Sequence, residues 1–243
     1  MSSLFRIACL VLTGNLLLPA AHARPIVLAE GTTVMGEYGA GTMSEFQAFY
    51  APSYRYSLGV GYLKLNSHVD PLPAGTTGGG HGHGGGAVTA AGQSDASHDI
   101  SYVRVNYLPK RWNMESAQAN VLVWGSLGQV NAWTADAWDF AWNVGGQLDY
   151  ETRRIYASVR TDLYEASIAS HRIDTLQLGL APYKHDYNTL ALWFVVQARQ
   201  YAGETIHEGT EISALLRLFT RKTWMEAGVT QDGRVQAMLM VNF

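Results

Sequence analysis

Cysteine is all but missing from this 243-residue chain: its one cysteine is Cys9, close to the start. A disulfide framework is excluded, so the fold must be held by packing or by a closed hydrogen-bonded sheet. Charge is scarce as well. Asp, Glu, Lys and Arg make up 15% of the residues, where about 25% is usual in a soluble domain. The formal net charge of −3 provides no basic surface, which excludes nucleic acid as a partner. Long apolar runs are also absent. Beyond the first 23 residues no stretch reaches the roughly 18 uncharged apolar residues of a membrane-spanning helix. Disorder is excluded for most of the chain, because 47% of the residues are hydrophobic and 11% aromatic.

The start of the chain has three parts in order: Arg6, a mostly apolar stretch over 7–18, and Ala21-His22-Ala23. That is the positive region, apolar core and small-x-small cleavage site of a secretory signal. Thr13, Gly14 and Asn15 interrupt the apolar stretch, which is too short to span a bilayer. Residues 1–23 are expected to be removed, Cys9 with them, and residues 24–32 to precede the first strand.

What fills the remainder is alternation. Trp138, Phe140, Trp142, Val144 and Leu148 share one phase, and Asp139, Asn143, Gln147 and Asp149 the other. Period two is the mark of a strand with one oily face. The pattern returns in Tyr54, Tyr56, Leu58, Val60 and Tyr62 against Arg55, Ser57, Gly59 and Gly61, and in Leu190, Leu192, Phe194 and Val196 against Gln197 and Arg199. Twelve strands are predicted, at 33–40, 43–50, 54–65, 98–107, 117–127, 138–149, 154–164, 173–181, 189–201, 211–219, 222–230 and 234–243. The first two are diluted by Gly36, Gly39 and Gly41, which makes ten the fallback count.

The composition of the two faces decides which points outward. A soluble barrel bathes its polar phase in water and stocks it with Lys and Glu. Here the polar phase holds Gly, Ser, Asn, Gln and a mixed set of Arg and acids, with no lysine in the strand centres, and the apolar phase there carries no charge. A lipid-facing exterior around a polar interior accounts for both faces, since a charge at the bilayer midplane costs about 2 to 4 kcal/mol in such barrels. Aromatics near the predicted strand ends would form two interface girdles, with Tyr107, Trp112, Tyr150, Tyr183 and Trp224 at one rim and Tyr62, Trp133, Trp138, Tyr164 and Tyr201 at the other.

The last strand ends on Phe243, preceded in the same phase by Val241, Leu239 and Val235. With the leader and the short alternating strands, the chain resembles an outer-membrane β-barrel of Gram-negative bacteria. The resemblance implies a closed antiparallel transmembrane barrel over 33–243 in the bacterial outer membrane, with outer-membrane lipid and the barrel assembly machinery as partners. Phe243, Val241 and Leu239 would be the assembly signal. Both termini would face the periplasm, with short turns at 51–53, 108–116, 150–153, 182–188 and 219–222, and residues 66–97 would form an extracellular loop. The resemblance brings no catalytic residues and requires no cofactor.

That loop centres on Gly78-Gly79-Gly80-His81-Gly82-His83-Gly84-Gly85-Gly86 and is flanked by His68 and His98. Imidazole suits Cu, Zn and Ni, so His81, His83, His68 and His98 are candidate ligands for a transition-metal ion; the bland alternative is a solvated loop whose histidines are incidental. Met238 and Met240 share the inward phase of the last strand and would suit Cu(I), although such residues more often fill packing space. Copper-resistance barrels carry a long His/Met-rich N-terminal extension that this chain lacks. Ser97-His98-Asp99 and Ser170-His171 invite a hydrolase reading, but neighbours on a strand point to opposite faces, and no Gly-x-Ser-x-Gly elbow is present. Inward charges remain: Arg55, Arg104, Arg160, Arg199 and Arg217 against Glu37, Glu45, Asp139, Asp149, Asp162, Glu211 and Glu226. They would line a narrow pore or knit a closed, ion-paired plug.

Overall fold

The computed structural model describes residues 29–66, 97–132, 137–167, 169–184, 189–203 and 208–243. The leader expected at 1–23 lies outside them, as do His68, His81 and His83. The alternating segments form β1 (Gly31–Gly39), β2 (Met43–Ser53), β3 (Tyr56–Asn66), β4 (Ser97–Asn113), β5 (Ala117–Ala132) and β6 (Ala137–Thr152). They continue as β7 (Ile155–Ala166), β8 (Ala169–Leu180), β9 (Ala191–Ala202), β10 (Gly209–Phe219), β11 (Thr223–Thr230) and β12 (Val235–Asn242). The protein is an all-β, closed, twelve-stranded antiparallel barrel: each strand pairs with its successor and β12 returns to β1. The seam runs from Thr33 opposite Asn242 to Gly39 opposite Gln236, so the last strand covers the edge that an open sheet would expose. The diluted glycines of β1 do not break the strand, because both its neighbours hold it.

Two predicted turns are displaced for one reason. Turns were expected at 51–53 and 108–116, and the prolines within them, Pro52 and Pro109, can donate no hydrogen bond to a ladder. Instead each proline sits at a register slip, between Tyr50 and Ser53 in β2 and between Tyr107 and Lys110 in β4, where the ladder is already interrupted. The chain reverses later, at 54–55 and 114–116. Across the slip the Leu108 N–H donates to the Arg55 carbonyl at 2.7 Å. At the seam, Gly31 adopts φ +111° beneath the Phe243 carbonyl, where a side chain would collide with that oxygen.

Alternate residues are buried and exposed along the wall. In β2 Met43, Glu45, Gln47 and Phe49 are buried, while Phe46 and Tyr50 in the other phase are exposed. The exposed set forms an apolar belt that includes Leu58, Val60, Val105, Val144, Phe194 and Leu239. Towards the end that carries residues 67–96 the outer face turns polar: Arg172 pairs with Asp174 at 3.0 Å, and Thr161 donates to Asp174 at 2.7 Å.

Inside, the barrel is layered. Leu63, Leu65, Ile100, Val130, Ile173 and Tyr201 pack together at the loop end, and Trp193, Val195, Leu215, Phe219 and Met240 at the turn end. Three of the aromatics assigned to the outer girdles belong to these inner layers. Tyr164 and Tyr201 are in the loop-end cluster, and Trp224 packs against the turn-end one. Their even or odd position on the strand puts them on the inner face, which nearness to a strand end does not reveal. Two inner glycines make room for rings. Gly61 is opposite Tyr102 and Gly145 opposite Trp124, and a methyl group at either glycine would overlap the facing ring.

Candidate functional site

Between the two apolar layers lies a polar middle section around a cavity of about 160 Å³. Its cations come from four strands, and each is matched. Arg104 on β4 donates from Nε to Ser126 at 2.9 Å and from Nη2 to Asn143 at 3.2 Å, and lies 3.8 Å from Glu45. Glu45 also accepts a hydrogen bond from the Tyr102 hydroxyl. Arg160 donates to Asp162 at 2.6 Å, and the other oxygen of Asp162 accepts from the Trp124 indole at 2.8 Å. Arg199 pairs with Glu37 at 2.6 Å and touches the Met43 sulfur at 3.5 Å. Arg217 pairs with Glu226 at 2.8 Å and stacks over the rings of Tyr156 and Trp224, at 4.2 and 4.4 Å from their centres.

A chain of side-chain amides joins the last of these pairs to the loop end. Arg217 donates to Gln177 at 2.8 Å, Gln177 to Gln197 at 2.9 Å, and Gln197 to Gln236 at 3.0 Å. Gln236 donates in turn to Glu211, which Arg234 meets at 3.1 Å. No single strand contains this chain. It crosses β8, β9, β10 and β12, and so could not be read from alternation within one segment.

Not every inward candidate lines the lumen. Arg55 lies in the exposed turn 54–55, with its Nε 3.4 Å from the Tyr54 hydroxyl and Arg111 stacked on the same ring at 5.7 Å. That hydrogen bond lowers the Tyr54 phenol from its ordinary pKa, with the Arg55 charge acting in the same direction. The displaced turn is the reason: Arg55 falls outside β3, where phase no longer governs direction. Asp139 is at the opposite rim, where it accepts the backbone N–H of Ser167 at 2.7 Å, the Ser167 hydroxyl, and the Phe140 N–H at 2.8 Å. It clasps the β7–β8 connection. Asp149 is partly buried inside the wall, held by Asn120 at 2.6 Å and Gln147 at 3.2 Å.

Met238 and Met240 both line the cavity, and Met35 stands directly opposite Met240 across the seam. Of the proposed imidazole ligands only His98 is among the described residues. It is half-buried at the loop end of β4, with Nδ1 buried and unpartnered. Among the described residues no three His, Cys, Asp or Glu side chains gather as metal ligands. Ser170 and His171 separate as adjacent strand residues must: Ser170 donates to Glu165 at 3.0 Å, while His171 is buried against Tyr164 with ring centres 4.5 Å apart. In the sequence His171 stood out only beside Ser170; its place on the inner face was legible from the phase it shares with Ile173 and Thr175.

Phe243 and Leu239 are exposed at the turn end, and Val241 is partly exposed between them. Comparison with known protein families, with curated proteins and with solved structures found no match. The class is therefore defined by the architecture alone: a closed antiparallel barrel with an apolar outer belt and inward-facing charges.

Proposed function

We propose that the chain is a bacterial outer-membrane β-barrel that works as a metal-interacting surface protein with a closed lumen, and not as a passive diffusion pore. The observation that carries the reading is an inverted distribution of polarity. Leu58 and Phe194 on the outer belt are 60% and 58% exposed, whereas Arg104, Glu211 and Arg217 inside are 5%, 3% and 3% exposed. Apolar side chains so exposed are at home in lipid. Charges so shielded are not the wet lining of an aqueous channel. The apolar layers at both ends account for the shielding, and the histidines of 66–97 supply the metal-binding chemistry that the closed interior leaves to the surface.

Planar-bilayer recording tests the lumen. With insertion verified by the heat-dependent gel mobility of the folded barrel, the full mature chain is expected to show no channel steps. Steady ohmic conductance would replace the closed lumen with a narrow pore. That second reading is favoured by the 160 Å³ cavity, which needs only displacement of the apolar layers to become continuous.

Orientation is tested on cells. Both chain ends of the barrel lie with the short turns, so residues 66–97 belong outside and Phe243 at the periplasmic rim. An epitope inserted near Gly85 should be labelled on intact cells. Labelling only after the outer membrane is opened would reverse the topology.

A further inference from the structure

The charges inside the barrel are paired, but those at its turn end are not balanced. Three of the short connections carry or adjoin neighbouring cations: Lys110 and Arg111 lie near the end of β4, Arg153 and Arg154 join β6 to β7, and Arg221 and Lys222 join β10 to β11. Arg55 and Lys184 stand in the other two, so a cation lies in or beside each of the five turn-end connections. Against these eight stand Glu30, Glu115 and Glu151 among the described residues, with Asp149 held inside the wall. The loop end is the reverse, with Lys64, Arg172 and Arg234 outnumbered by carboxylates such as Asp139, Glu165 and Asp174. A formal charge of −3 for the whole chain averages over the two ends, which is why composition gave no sign of a basic surface.

The basic rim borders the apolar belt directly. Arg55 and Arg111 both stack on the ring of Tyr54, at 5.7 Å from its centre, and Lys110 lies 5.8 Å from that of Trp112. Both rings are exposed. On the outer face Tyr56 stands opposite Tyr107, and two residues further along the same phase Leu58 stands opposite Val105 in the belt. Cations, aromatic rings and aliphatic side chains thus follow one another from the turns into the belt, in the order of headgroup, interface and acyl chain in a lipid leaflet. Arg154 is tied to carbonyl oxygens of the β8–β9 connection, Ala181 at 3.3 Å and Pro182 at 3.5 Å, which fix the guanidinium without cancelling its charge. Among the described residues no carboxylate pairs with Lys110, Arg154, Arg221 or Lys222.

We propose that the turn-end rim binds the phosphate headgroups of anionic phospholipid in the leaflet beside the short turns. The proposal rests on the outer-membrane reading and names the lipid that the rim selects. Charge complementarity calls for an acidic partner. The unbroken run from cations to belt calls for one whose apolar part lies in the bilayer, in preference to a soluble phosphate or an acidic protein. Each Lys or Arg beside an anionic membrane surface contributes about fivefold in affinity, so several together select strongly.

The full mature chain is folded into vesicles of phosphatidylcholine alone, or of phosphatidylcholine and phosphatidylglycerol mixed three to one, and unfolded in urea at low salt. Anionic lipid that binds only the folded barrel raises its stability. Wild type is expected to gain about tenfold or more in the folding equilibrium constant from phosphatidylglycerol. Lys110→Gln/Arg154→Gln/Arg221→Gln/Lys222→Gln should lose most of that gain. The charge-keeping Lys110→Arg/Arg154→Lys/Arg221→Lys/Lys222→Arg should retain it, as should the loop-end control Arg172→Gln. At about 1 M salt, where the screening length is about 3 Å, the wild-type gain should vanish; this arm decides if the neutral variant does not fold. An equal gain in the neutral variant, a gain that survives salt, or no gain in wild type would overturn the lipid seat while leaving the membrane barrel intact. A matching gain from inorganic phosphate or polyglutamate added to phosphatidylcholine vesicles would overturn it in favour of a soluble acidic partner. A chain that inserts into neither vesicle would overturn the outer-membrane reading and the seat with it.

Discussion

Replacing Arg217 by alanine is expected to cost the barrel about 3 to 5 kcal/mol, because it strands a buried carboxylate. Arg217 is 3% exposed and the side chain of its partner Glu226 is 8% exposed, so water cannot stand in for the lost cation. The same substitution removes a donor to Gln177 and the cation stacked between Tyr156 and Trp224. Urea unfolding of barrels folded into lipid vesicles measures the loss. Arg217→Met/Glu226→Gln should recover much of it: the neutral amide keeps an acceptor for the Trp224 indole, which donates to Glu226 at 2.6 Å, and no charge is left behind. Arg160→Ala should cost less, since the Arg160 side chain is 29% exposed and Asp162 would retain its hydrogen bond from Trp124. Outward Val159→Ala should change little. An Arg217→Ala barrel that unfolds at the wild-type urea concentration would contradict the ion-paired interior.

Val60→Arg is the corresponding test of the outer face. Val60 is 56% exposed and lies within the belt, with Leu58 on one side and Tyr62 on the other along β3. If lipid covers that belt, an arginine there should destabilise the barrel by about 2 to 4 kcal/mol, falling to about 0 to 1 near the interface. Ser101→Arg supplies the comparison. Ser101 stands opposite Tyr62 and Gln129, on the outer face where polar residues begin. The difference between the two variants, read from unfolding in vesicles of one composition, is the informative quantity. Equal and negligible costs would mean that water, and not lipid, bathes the belt.

How much of this was legible in the chain itself depends on the range of the physics involved. A strand's inner and outer faces follow from alternation over a few neighbouring residues, which is why β3, β6 and β9 were recognisable from single segments such as Leu58, Val60 and Tyr62 against Ser57, Gly59 and Gly61. The closing strand was legible for the same reason. Local pattern fails where register intervenes: turns were expected at 51–53 and 108–116, but β2 and β4 run on through Pro52 and Pro109, each accommodated by a one-residue slip against the partner strand. Arg55 was misplaced with the turn that carries it.

By itself, then, the sequence determined an alternating, all-β chain with a single cysteine near its start and an apolar face unsuited to water, because those properties reside in neighbouring residues. Only the tertiary structure decided which inward groups meet. Arg199 and Glu37 are 162 residues apart and Tyr102 and Glu45 are 57 apart. Their encounters depend on closing the β1–β12 seam and on the stagger of every strand between. The same closure turned Tyr164, Tyr201 and Trp224 into inner packing. A composition of balanced charges is compatible with a channel or a plug; barrel radius and the volume of the side chains pointing inward choose between them, and neither quantity is carried by any one stretch of sequence.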